Sequence, residues 1–112
     1  MIFGINGATT EKCSIAEDIE VAGKAGYRAV EIRKDKLDRY LERNSIAGLI
    51  ELLRRSRVVP HTINAVGMST LQTPANEAKV LRNVSDFTKA AAAMGCPWIV
   101  ACPGAKPAGA SW

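Results

Sequence analysis

A single histidine, His61, stands in 112 residues. One imidazole gives the chain little material for a zinc centre or a Cys–His dyad. The three cysteines, Cys13, Cys96 and Cys102, form no C-x-x-C pair. An odd count, with no charged segment ahead of an apolar stretch at the N-terminus, argues for reduced thiols in the cytosol. Cys96 and Cys102 read as small buried apolar residues. Aromatic residues make up only 5% and none interleaves with the arginines, so no stacking platform for a nucleic-acid strand is visible. No apolar run approaches the ~18 residues that a membrane span needs. These absences set aside a disulfide scaffold, a membrane protein and a nucleic-acid binder, and the expected location is the cytoplasm.

The composition that remains, 47% apolar and 23% charged, is that of an ordinary globular domain. A net charge of +4 can favour phosphorylated metabolites, but the basic residues are scattered. The exception is Arg54, Arg55 and Arg57 at the end of one helical pattern, where cations complement the negative end of the helix dipole.

Four apolar runs, at 2–6, 29–33, 58–64 and 98–102, alternate with three helical patterns. Such alternation implies parallel strands joined by crossover helices, because parallel neighbours cannot be linked by a tight turn. The expected fold is α/β: half of a (β/α)8 barrel, with four parallel strands and three major crossover helices. Residues 1–112 form one half-barrel domain, with an irregular tail over 103–112. Ser14 and Glu17 make a capping box ahead of Ile15, Ile19 and Ala22, and Gly26 is a natural left-handed stop. A short helical turn through Leu37, Tyr40 and Leu41 follows the second strand. Ser45 caps a stripe of Ile46, Leu49, Ile50, Leu52 and Leu53. Pro60 removes a ladder donor inside the third strand. Thr73 and Pro74 open the last helix, whose buried face is Val80, Leu81, Val84, Phe87 and Ala91. The fourth strand is nearly all apolar, as in a strand buried on both faces.

In a barrel of this kind, function sits at the carboxyl ends of the strands. Those positions hold Asn6, Glu31, Arg33, Asn64 and residues 102–106. Each also has a structural reading: Asn6 as a turn residue, Glu31 with Arg33 as an interior ion pair, Asn64 as a loop anchor. Alternation puts Val30 and Ile32 toward the helices, and Glu31, Arg33, Thr62 and Asn64 toward the interior. By the same count His61 shares the helix-facing side with Ile63 and Ala65, so a packed, hydrogen-bonded histidine is expected.

Phe3-Gly-Ile-Asn-Gly-Ala-Thr-Thr-Glu-Lys-Cys-Ser14, Ala25-Gly-Tyr-Arg-Ala-Val-Glu-Ile-Arg33, residues 45–57, Ile63-Asn-Ala65, Gly95-Cys-Pro97 and Pro103-Gly104 resemble the N-terminal half of the xylose-isomerase-like (β/α)8 barrels. These are the sugar-phosphate isomerases and epimerases. The resemblance implies an enzyme that moves a proton beside a carbonyl through an enediolate, with a divalent metal polarising the substrate oxygens. It also places the family's metal ligands on the last four strands, so the chain's own half is expected to hold no metal and no cofactor. The positions carried over are substrate-binding: Asn6, Glu31 and Asn64. His61, where relatives usually have an apolar residue, departs from the pattern. The expected protein is a truncated relative without full activity alone. It is expected to assemble as a homodimer through its strand edges. The alternatives are an interaction module that completes its open sheet with another chain, or a dimeric barrel that binds a small sugar-like ligand.

Overall fold

A computed structural model describes residues 1–68, 74–104 and 108–109. Four strands, β1 (Gly4–Asn6), β2 (Ala29–Arg33), β3 (Val59–Met68) and β4 (Trp98–Pro103), form one sheet in the order β1-β2-β3-β4, every pair parallel. Helices α1 (Ile15–Lys24), α2 (Lys34–Leu41), α3 (Ile46–Ser56) and α4 (Pro74–Met94) make the crossovers. The fold is the expected half-barrel, and the short turn after β2 is a full eight-residue helix.

Local chemistry sets the helix boundaries. The Ser14 hydroxyl accepts from the Glu17 amide while the Glu17 carboxylate accepts from the Ser14 amide, so two orphan donors are satisfied at once. Those bonds from the Ser14 amide and hydroxyl hold the Glu17 carboxyl below the usual carboxylate range. Gly26 takes φ +83°, a conformation that side chains rarely adopt, and this ends the turn after α1. The Ser45 hydroxyl caps α3 at the Gly48 amide. Thr73, expected to cap α4, lies outside the described residues, as do Lys106 and Trp112.

The core lies between sheet and helices. Val30, Ile32 and Ile63 of the sheet meet Ile15, Ile19, Leu37, Leu49, Leu53, Phe87 and Ala91, all buried. Gly23 lets α1 approach α3 closely, since a Cβ there would stand 2.6 Å from the Ser56 carbonyl oxygen. Inside this apolar layer sits a charged pair that sequence reading missed. Lys36 Nζ donates to Asp18 Oδ2 at 2.6 Å and to the Thr10 carbonyl at 2.8 Å, and Thr10 Oγ1 donates to Asp18 Oδ1 at 2.6 Å. Both charged side chains are almost wholly buried, at 1% and 3% exposure. The network ties the β1–α1 loop to α1 and α2.

Two expectations of burial fail for one reason. Leu81 and Val84 in the first half of α4 are exposed, and so are Trp98 and Cys102 on β4. Both elements lie at the far side of the sheet, next to the β4 edge, where no further helix or strand among the described residues covers them. Cys96, by contrast, is buried as expected, and desolvation raises its thiol pKa. On the concave face Val59 is 55% and Trp98 62% exposed. Among the described residues no helix is long and apolar enough to cross a membrane.

Candidate functional site

The strand ends bring together the three residues selected from the sequence. Asn6 is the last paired residue of β1, Glu31 of β2 is its partner in register, and Asn64 of β3 lies two strands from Asn6 on the same face. Asn6 Nδ2 donates to Glu31 Oε1 at 2.6 Å, and Asn64 Nδ2 donates to the same oxygen at 2.8 Å. Thr62 Oγ1 donates to Oε2 at 2.7 Å. One carboxylate therefore ties β1, β2 and β3 together at the rim. Thr62 was not among the selected residues, although alternation had put it on the inner face.

Asn6 also fills its turn role. Its Oδ1 accepts from the Ala8 amide at 2.7 Å, which fixes the loop that leaves β1. Arg33 does not pair with Glu31. Its Nε donates to Asp35 Oδ1 at 2.8 Å instead, because Asp35 sits at the start of α2, directly beside the end of β2. That bond holds the Asp35 carboxyl below its usual range and raises the Arg33 guanidinium. Lys34 pairs with Asp38 one turn along the helix and lies 4.9 Å from the centre of the Phe87 ring. Asn6, Arg33, Lys34, Asp35, Asp38 and Asn64 line a rim cavity of about 550 Å³. Its cations are matched by adjacent carboxylates, and amide groups complete its wall.

His61 overturns its expected orientation. Val30 pairs with Pro60, but the next residue, Glu31, pairs with Thr62, so His61 is the extra residue of a β-bulge. Pro60 has no N–H for the ladder, which explains the slip at this point. The slip carries His61 off the helix-facing side, and the imidazole is exposed. It lines a second cavity of about 330 Å³ on the concave face, with Ile5, Glu31, Val59 and Thr62. A second irregularity follows between Asn64 and Val66, where the Asn64–Ala65 peptide is cis.

Among the described residues no group of three or more His, Cys, Asp or Glu side chains is arranged to hold a metal ion. Glu31 and His61 alone do not make the three- or four-ligand set of a metalloenzyme, so the residues of one copy do not fit the metal implied by the resemblance.

No family model matches the chain. It is 30% identical over 100 residues to the inosose isomerase of Bacillus velezensis, a match covering 88% of this chain and 36% of that protein. Among solved structures it superposes with a TM-score of 0.86 on the IOLI protein with a binding zinc atom, at 27% identity, covering 92% of this chain and 38% of the other. A xylose isomerase domain containing protein from Salmonella typhimurium shares the fold at a TM-score of 0.75 and 22% identity, over 90% of this chain and 36% of that one. The chain therefore has the fold of the xylose-isomerase-like barrels and is similar in sequence to an inosose isomerase. Within that fold it carries the N-terminal half of a xylose-isomerase-like (β/α)8 barrel and spans 36% of the length of the curated relatives it matches.

Proposed function

We propose that this chain binds a small polyhydroxylated, sugar-like ligand at its rim and that two copies associate to close one barrel. The observation that carries the ligand reading is the Glu31 carboxylate, held by Asn6, Thr62 and Asn64 at the carboxyl ends of three strands. A fixed carboxylate with neighbouring amides offers acceptors and donors spaced for adjacent hydroxyl groups. Similarity to an inosose isomerase supports a polyol ketone as the ligand class. Among the described residues a single copy holds no cluster arranged for a metal ion, so turnover by one copy is expected to be weak.

The exposed apolar side chains Val59 and Trp98, and β1 and β4 as the outer strands of the sheet among the described residues, support the two-copy reading. Two four-stranded units supply the eight strands of a closed barrel, and pairing β1 of each with β4 of the other removes both edges. Titration calorimetry with inosose and with xylose tests the ligand reading. Binding is expected to weaken about tenfold in Glu31→Gln or Asn64→Ala, the loss of roughly one hydrogen bond to a charged or polar partner. Equal affinity in both variants refutes it. Sedimentation tests assembly, with a species of twice the 12.0 kDa chain mass expected. A stable monomer at micromolar concentration refutes the assembly, and capture of a partner chain along the strand edges favours the interaction-module alternative instead.

A further inference from the structure

The rim cavity has the parts of a phosphate seat, and the chain fills that seat itself. At the carboxyl end of β2, two adjacent cations, Arg33 and Lys34, meet the positive end of α2. Arg33, the residue ahead of the helix, offers its first amides no side-chain acceptor. Phosphoryl groups are commonly held by this combination of helix start and basic side chains. Here Asp35 takes the place. Its Oδ1 accepts from Arg33 Nε at 2.8 Å and its Oδ2 from Arg39 Nη2 at 2.9 Å, so one carboxylate spans two guanidinium groups as a phosphate would. Lys34 is held by Asp38 one turn further along α2. We propose that Asp35 and Asp38 are built-in counter-anions through which this rim selects uncharged polyols and rejects their phosphate esters. This selection rests on the ligand reading above and adds to it which members of the polyol class are admitted.

Charge decides the outcome. The cavity wall carries two cations, Arg33 and Lys34, and two carboxylates, Asp35 and Asp38, so a ligand meets no net positive charge there. The bond from Arg33 keeps the Asp35 carboxyl below its usual range, and it stays ionised at neutral pH. Glu31, bonded to the wall residues Asn6 and Asn64, adds one negative charge behind them. A phosphate ester brings roughly two more at neutral pH. The start of a helix offsets only about half a charge. Hydroxyl groups meet no such repulsion. Asp35 and Asp38 are about half exposed, so the repulsion is partly screened and weakens as salt is added.

The test is titration calorimetry on the full chain at low ionic strength, with inosose and xylose as neutral ligands and xylose 5-phosphate as the charged one. The parent is expected to bind a neutral ligand about tenfold or more tightly than the phosphate ester, with the gap narrowing in salt. The double variant Asp35→Asn with Asp38→Asn frees Arg33 and Lys34, and the ratio of neutral to phosphate affinity is expected to fall about tenfold. The ratio is the readout because loosening of the rim weakens both kinds of ligand together. Asp35→Glu with Asp38→Glu keeps both charges and is expected to keep the parent ratio. Affinity for the phosphate ester equal to or above that for the neutral ligands overturns the proposal while the rim stands as a ligand site. A ratio unmoved in the double asparagine variant, or moved only in Glu31→Gln, overturns it in the same way. A parent that binds none of the three overturns the ligand reading and the selection with it.

Discussion

Replacing Lys36 with methionine probes the buried charge network most directly. The side chain is 1% exposed, and its ammonium group serves both Asp18 and the Thr10 carbonyl. Methionine keeps the volume and removes the charge, which leaves Asp18 buried with only the Thr10 hydroxyl as partner. Breaking a buried pair on one side costs about 3–5 kcal/mol. For a domain of this length, an unfolding entropy of roughly 2.1 cal/mol/K per residue converts each kcal/mol into about 4 °C of Tm. A loss of about 12–20 °C is therefore expected by calorimetry or circular dichroism. The double variant Asp18→Leu with Lys36→Met removes both charges and is expected to recover most of the loss, since an apolar pair of similar volume is often as stable as a buried ion pair. Because the network pins the β1–α1 loop that leaves Asn6, the single variant is also expected to weaken ligand binding. A Lys36→Met protein melting within about 2 °C of the parent would refute the reasoning.

Other perturbations have defined outcomes. Gly23→Ala puts a Cβ 2.6 Å from the Ser56 carbonyl, so α1 and α3 must part, and a loss of about 1–3 kcal/mol is expected in urea unfolding. Because Arg33 lowers the folded pKa of Asp35, the stability from that pair is present above the ordinary carboxylate pKa of about 3.9 and is lost as pH falls through the lower folded value. Asp35 is largely exposed, so melts between pH 2 and 6 should show a small, salt-screened advantage of the parent over Asp35→Asn that disappears at the acid end. With a thiol reagent at pH 8, Cys102 should react readily, whereas Cys96, buried and with a raised pKa, should react only on unfolding. Equal rates for the two would contradict the placement of β4.

Local signals were legible where local chemistry decides the outcome. Ser14 with Glu17 marked the start of α1, Gly26 marked its end, and alternation along β2 put Glu31 inside with Val30 and Ile32 against the helices. The convergence of Asn6, Glu31 and Asn64 followed from the rule that parallel strands present their carboxyl ends together. His61 was misassigned because strict alternation assumes an unbroken ladder. Pro60 breaks it, and a proline inside a strand is the sequence signal for such a slip in register. The Asp18–Lys36 pair was out of reach, since two charged residues 18 apart show no pattern that distinguishes burial from solvation. Leu81 and Val84 were assigned to a core by their helical spacing, yet spacing says only which side a residue takes, and whether anything stands on that side is a tertiary matter.

The sheet order β1-β2-β3-β4 carries a further consequence for how the chain forms. Every strand lies beside its immediate predecessor, so no unit must wait for a distant segment before it can dock. As synthesis proceeds, each new strand meets an edge that already exists and in turn exposes the next one. Structure can thus accrue from the amino terminus, one strand–helix step at a time. The same stepwise layout means that units can be added or duplicated at an edge over evolutionary time without reshuffling those already in place.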